Sequence, residues 1–229
     1  MGRRDRKMLP VRRPSELGVN GVRGGVTAKA SGDDTPTVHG VVLAAGESER
    51  YGPENKLLQP IDGDPLVVHA VRTAVESSLD GVTVVLGHEG DSVRATLEGA
   101  GFDNTVVSYR RNEAFAEGQS TSLACGVVAA QECGADAVLV LLGDMPDVSV
   151  ETVELLLAAY AGTSHDALAA AFDGKRGNPV LFDSVHFDAL CDVEGDVGGR
   201  EILLEEADAV TVETGDPGVL RDVDRPSDR

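Results

Sequence analysis

Two separated stretches carry cations and an acid where polyphosphate chemistry would use them. The first runs Val41-Val42-Leu43-Ala44-Ala45-Gly46-Glu47-Ser48-Glu49-Arg50-Tyr51-Gly52-Pro53-Glu54-Asn55-Lys56-Leu57-Leu58. An apolar strand enters small residues, whose backbone N–H groups can approach phosphate oxygens. The glycine-containing loop then delivers Arg50 and Lys56, which would neutralise a triphosphate and its departing pyrophosphate. No Gly-Lys-Ser/Thr follows, so this is not a Walker A loop, and the GxGxxG spacing of a dinucleotide binder is missing. The bland alternative is a tight strand-to-helix turn with two solvated cations. The second stretch is Leu139-Val140-Leu141-Leu142-Gly143-Asp144-Met145-Pro146. A hydrophobic strand there ends in a carboxylate, at the edge where an α/β sheet presents ligand-binding groups. Mg²⁺ asks for only one or two carboxylates beside phosphate oxygens and water, so Asp144 alone suffices chemically.

Weaker signals lie further along the chain. Asn112 precedes Gly118-Gln119-Ser120-Thr121-Ser122-Leu123, whose hydroxyls sit where they could cap the start of a helix. Gly177-Asn178-Pro179 leads into a short apolar run, and Gly195-Asp196-Val197-Gly198-Gly199-Arg200 leads into a helix. Glycine amides at a helix start together with Arg200 make an anion site, unless Arg200 simply pairs with a neighbouring acid. Near the end, Asp222 and Asp224 would share one face of a strand, so either could reach a metal from the side opposite Asp144. His39, His69, His88, His165 and His186 have no mutual spacing that suggests a triad or metal site and are expected mostly at the surface or in turns. Ser48 has no His or Asp in register to activate it as a nucleophile.

The run LAAG-x-S-x-R-x-G-x-x-x-K followed by Leu57-Leu58 resembles the signature of the NTP-transferase superfamily. This superfamily includes molybdopterin cytidylyltransferases and guanylyltransferases (MobA/MocA-like) and sugar-phosphate nucleotidyltransferases. The resemblance extends from about Val38 to Ser227. It implies that Leu43, Ala44, Ala45, Gly46, Arg50 and Lys56 wrap the triphosphate, with Arg50, Lys56 and Asp144 catalytic. Gly143-Asp144-Met145-Pro146 is similar to the family's metal-binding GDxP, and the terminal Asp222-Val223-Asp224 to its D-I-D, which implies Mg²⁺ held by Asp144 and Asp224. Ser120, Thr121 and Ser122 resemble a loop that contacts the nucleotide. Gly177, Asn178, Pro179, Gly198 and Arg200 resemble acceptor-side elements of the molybdopterin branch. Ala45, where the guanylyl branch carries a second glycine, tilts the nucleotide towards CTP. Departures from the family pattern are Gln119, Thr121, Gly199 and Arg225. The implied activity is CMP transfer to a phosphorylated pterin, with transient contact to a molybdoenzyme. The rivals are guanylyl transfer, nucleotidyl transfer to a sugar phosphate, and a non-catalytic nucleotide-binding accessory of a molybdoenzyme.

Such residues need a scaffold that brings distant loops together. Apolar runs at Val38–Ala44, Val82–Leu86, Thr105–Ser108, Ala137–Leu142, Ala167–Phe172 and Ala209–Val212 read as strands. Helical spacing appears over Leu66–Ser77, Asp91–Gly99, Ser120–Gln131, Val150–Tyr160 and Gly199–Ala207. The alternation predicts βαβ units around a mostly parallel sheet. The resemblance implies a Rossmann-like three-layer α/β/α fold of the nucleotide-diphospho-sugar transferase type.

With 229 residues, 41% hydrophobic, the chain suits one domain, expected over residues 38–229. Residues 1–37 carry eight basic against four acidic residues, show no apolar periodicity, and read as a disordered basic extension. The net charge of −19 argues against binding nucleic acid or an anionic membrane through a general basic surface. Lysine occurs only at positions 7, 29, 56 and 175. This composition is similar to that of halophilic proteins, whose acidic surfaces are screened by high salt. No run approaches the roughly 18 apolar residues of a membrane span, so a cytoplasmic protein is expected. Cys125, Cys133 and Cys191 show no metal or disulfide spacing and read as small buried residues.

Overall fold

A computed structural model describes residues 8–19, 35–48, 51–52, 54–193, 195 and 199–228. In chain order the strands and helices are β1 (Val11–Arg12), β2 (Val38–Ala44), β3 (Pro60–Ile61), β4 (Asp64–Pro65), α1 (Leu66–Glu76), β5 (Gly81–Leu86), α2 (Gly90–Gly99) and β6 (Ser108–Arg111). They continue with α3 (Gln119–Glu132), β7 (Ala137–Leu142), α4 (Val150–Gly162), β8 (Ala167–Phe172), β9 (Lys175–Asp183), α5 (Phe187–Asp192) and β10 (Ala209–Glu213).

Period-two burial makes this a three-layer molecule. Leu139 and Leu141 of β7 join one apolar cluster with Val67 and Val71 of α1 and Leu156 of α4. The intervening Val138 and Val140 join another with Leu123 and Val127 of α3 and Leu190 of α5. A strand buried on both faces reads as a continuous apolar run, as Ala137–Leu142 does. Helix α3 lies so close to β2 that a Cβ on Gly126 would come within 2.3 Å of Val41 Cγ1.

The strand order of the main sheet is β1-β10-β8-β9-β7-β2-β5-β6. Every neighbouring pair is parallel except those of β9, which is antiparallel to both β7 and β8. From β2 the chain builds outward through β5 and β6, then returns to β2's other edge as β7. The strand order therefore reverses between β2 and β7, opening a crevice at their carboxyl ends, the general ligand position in such sheets.

Several expectations need correction. Residues 8–19 do not form a disordered extension: Val11 and Arg12 pair with Thr211 and Val212 as an edge strand, and Leu17 is buried. A two-residue edge strand leaves almost no periodicity to read. The rest of that segment, 1–7 and 20–34, lies outside the described residues. The strand expected at Thr105–Ser108 begins three residues later, because Asp103 draws the Thr105 N–H and hydroxyl into a local turn. Strand β9 and helix α5 were not anticipated, and Ile202–Glu206 within the last expected helix is π-helical. His39 and His186 are buried, while Cys133 is exposed. Among the described residues no helix is long and apolar enough to cross a membrane.

Candidate active site

Parallel pairing in register joins the two motifs. Leu43 of β2 lies opposite Leu142 of β7, so the loops leaving both strands start side by side. The Gly143 N–H then donates to the Leu43 carbonyl at 2.9 Å, and a Cβ on Gly143 would sit 2.9 Å from that same oxygen. Only glycine fits there, and the next residue, Asp144, is turned into the crevice. The Val223 N–H donates to the Asp144 carbonyl at 3.0 Å, bringing in the C-terminal segment. Val223 is buried, and the following residue, Asp224, reaches the same place.

Lys56 is fixed from its own side. Asn55, 5% exposed, accepts from the Leu57 N–H at 3.0 Å and starts the turn Lys56–Leu58. Ser48 Oγ accepts from the Lys56 N–H at 3.3 Å. Ser48 holds φ +58°, a left-handed conformation that is unfavourable for a side-chain-bearing residue and clusters at functional loops. The ammonium of Lys56 lies 2.7 Å from Asp144 Oδ2 and 3.1 Å from Asp224 Oδ1. Burial alone would lower the lysine's pKa. The charge and hydrogen bonds of Asp144, then those of Asp224, outweigh it and hold the pKa above its ordinary value.

These groups line a cavity of about 420 Å³ with Leu43, Ala45, Gly46, Ser48, Gln119 and Ser122. Among the described residues Asp144 Oδ1, buried there, has no hydrogen-bond partner. A carboxylate oxygen left unsatisfied beside a second carboxylate fits the demands of Mg²⁺, which takes one or two protein oxygens and completes its octahedron with phosphate and water. Among the described residues no cluster of three or more His, Cys, Asp or Glu occurs, so the donor set is unlike a zinc cage.

A second cavity, of about 260 Å³, shares Leu43, Gln119 and Leu142 with the first. Its walls are chiefly Leu123, Val140, Val180, Phe182 and Leu203, and its polar groups are Gln119, Asn178, Arg176 and Arg200.

The expected site residues thus separate. Leu43, Ala45, Gly46, Lys56, Ser122, Asp144 and Asp224 line the first cavity, and Asn178 and Arg200 the second. Arg50 and Gly198 lie outside the described residues. Ala44 is buried in the core at 1% exposure. Ser120 is wholly buried, and its hydroxyl has no partner among the described residues. The Thr121 hydroxyl bonds to the Ala114 and Gly118 carbonyls and to the Asn112 side chain, so its work in this structure is to hold the loop before α3. Gly177 packs where a Cβ would come 2.0 Å from the Val219 carbonyl oxygen, and Pro179 follows a cis peptide bond. Neither lines either of these two cavities. Residues 221–224 are irregular rather than a strand, so the period-two argument does not apply to Asp222 and Asp224. Asp222 is exposed and only Asp224 enters the site.

Sequence reading gave no role to Asn55 or Gln119, although both lie within its motifs, and it missed Arg176. The basic residue directly before Gly177-Asn178-Pro179 was the available signal for Arg176.

Residues 40–210 match the family described as MobA-like NTP transferase domain. The chain is 31% identical over 202 residues to the purine catabolism protein PucB of Bacillus subtilis (strain 168), covering 85% of this chain and 95% of that protein. It is 33% identical over 202 residues to the nicotine blue oxidoreductase of Paenarthrobacter nicotinovorans, covering 83% and 94%. A solved nucleotidyl transferase from Methanothermobacter thermautotroptrophicus superimposes with a TM-score of 0.70 at 26% identity, covering 84% of this chain and 94% of that one. With the signature loop and the mid-sheet acid meeting at one crevice, the chain belongs to the MobA-like NTP transferase family and is a nucleotidyltransferase.

Proposed function

We propose that this nucleotidyltransferase is a Mg²⁺-dependent CTP:molybdopterin cytidylyltransferase that transfers CMP to a phosphorylated pterin and releases pyrophosphate. The observation that carries the reading is the adjacency of the two cavities. A charged chamber holding Lys56, Asp144 and Asp224 shares Leu43, Gln119 and Leu142 as common wall with a second chamber lined chiefly by apolar side chains. A sugar ring would ask for hydroxyl-recognising groups on most sides. Walls of Leu123, Val140, Val180, Phe182 and Leu203 instead suit a flat heterocycle.

In the proposed reaction an oxygen of the acceptor phosphate attacks the α-phosphorus in line. The new O–P bond forms as the bond to the bridging oxygen breaks, and its electron pair leaves with pyrophosphate. The acceptor phosphate is already ionised at neutral pH, so the residues position and neutralise rather than abstract a proton. Leu43, Ala45 and Gly46 present the loop along which the triphosphate lies. Lys56, together with Arg50, stabilises the charge gathering on pyrophosphate. Asp144 and Asp224 hold Mg²⁺, which when bound neutralises phosphate charge. Asn178 and Arg200 face the acceptor, and Ser122 the nucleotide. Residues 38–229, with the strand at Val11–Arg12 added to the sheet, form the transferase domain. A cytoplasmic setting and transient contact with a molybdoenzyme belong to the same reading.

The test is pyrophosphate release in high KCl with Mg²⁺, offering CTP or GTP with molybdopterin or with a sugar 1-phosphate. Release with CTP and molybdopterin is expected. Release confined to GTP, or to the sugar phosphate, overturns the assignment.

A further inference from the structure

Arg176 and Arg200 both line the second cavity, and no Asp or Glu lines it among the described residues. The chain has 39 acidic residues against 20 Lys and Arg. Two arginines with no carboxylate among the described lining residues are unexpected in so acidic a protein. Among the described residues neither makes an ion pair, whereas Arg72, Arg94, Arg110, Arg111 and Arg221 all do.

The topology explains the placement. Strand β9 runs against β7, so its first residues lie at the end of the sheet where β7 finishes. Beyond the pair Val140 and Val180, β9 carries Asn178 and Arg176 towards the turn that holds Asp144. Arg200 comes from the chain just before the π-helical turn Ile202–Glu206. Burial, and then the neighbouring charge of Arg200, hold the Arg176 guanidinium below its ordinary pKa. The pair is therefore kept together at an electrostatic cost that a bound anion would relieve.

We propose that Arg176 and Arg200 form a two-arginine clamp for a phosphate monoester carried on an apolar ring, the group that supplies the attacking oxygen. The proposal rests on the transferase reading above and adds to it a residue, Arg176, that works with Arg200 to select the acceptor phosphate. A dianionic nucleophile must approach a triphosphate of like charge. Planar guanidinium forks can neutralise it and fix which oxygen points at the α-phosphorus. The apolar walls then favour an acceptor whose body is a ring.

Phenyl phosphate, a phosphate monoester on an apolar ring, is the probe. It is titrated calorimetrically into the full chain with Mg²⁺ and α,β-methylene-CTP present, beside inorganic phosphate and phenol as separate arms. The wild-type chain is expected to bind phenyl phosphate more tightly than inorganic phosphate and to ignore phenol. Arg176→Gln should weaken phenyl phosphate by about tenfold or more, and Arg176→Lys should restore only part of the loss. Affinity for α,β-methylene-CTP and the circular dichroism spectrum should stay unchanged in both variants. Phenyl phosphate binding that is undetectable in the wild type, equal to that of inorganic phosphate, or unaffected by Arg176→Gln overturns the clamp. So does a variant that loses the nucleotide analogue instead. If the wild type binds phenyl phosphate yet releases no pyrophosphate from any NTP with molybdopterin, the clamp stands and the cytidylyltransferase assignment falls.

Discussion

Lys56 occupies the space between two carboxylates that a metal would also use. Lys56→Ala or Asp144→Ala should lower kcat by about 100-fold or more while the circular dichroism spectrum stays as in the wild type. Near-normal turnover in either would contradict the proposed roles. The same geometry makes a prediction readable without catalysis. In Lys56→Met the carboxylates of Asp144 and Asp224 lose the cation now 2.7 and 3.1 Å away, and their mutual repulsion should draw in a divalent ion. Mn²⁺ titration followed by paramagnetic resonance, without nucleotide, should show tighter binding than in the wild type. Equal or weaker binding means that the ammonium and the metal do not compete for these oxygens. Lys56 and Asp144 were legible in the sequence because each lies in a local pattern of strand, glycine and charge. Ser120 was not. Its hydroxyl sits in a helix-capping context, yet the side chain is wholly buried, and burial is set by what packs on the helix.

At the scale of elements, the site depends on how closely segments approach. Gly177 meets the Val219 backbone so tightly that Gly177→Ala must push the C-terminal segment away. Overpacking of this kind costs about 1–3 kcal/mol, which urea denaturation would measure. Because Val223 and Asp224 continue that segment, activity should fall more than stability alone explains. Unchanged stability would mean the segment yields freely. Strand β2 also carries a pH dependence. His39 is 5% exposed, and its Nε2 lies 2.8 Å from Thr83 Oγ1 on β5. Burial holds its pKa below the ordinary 6.5, against the raising effect of Asp80. The unfolded chain therefore takes up a proton first as pH falls. The stability due to the neutral ring is complete above 6.5 and is lost as pH drops from there through the lower folded value. The melting temperature should fall more steeply from about pH 7 to about pH 5.5 in the wild type than in His39→Gln. Parallel profiles would remove His39 as the cause.

For the whole molecule, the charge of −19 sets the conditions of stability. Self-repulsion among acids opposes compaction and is screened by salt. The melting temperature should therefore rise by about 5 °C or more on going from about 0.1 M to about 2 M KCl. A flat or falling curve would mean the acidic surface is already neutralised within the fold. Sequence by itself determined the composition, the two strand-ending motifs and the alternation of strands and helices, because each is written in neighbouring residues and their period. Only the tertiary structure decided that the order reverses between β2 and β7, that Asp224 rather than Asp222 enters the site, and that an antiparallel β9 brings Arg176 beside Arg200. Those outcomes depend on pairings between residues far apart in the chain, and a period-two argument fails once the segment carrying Asp222 and Asp224 leaves the sheet.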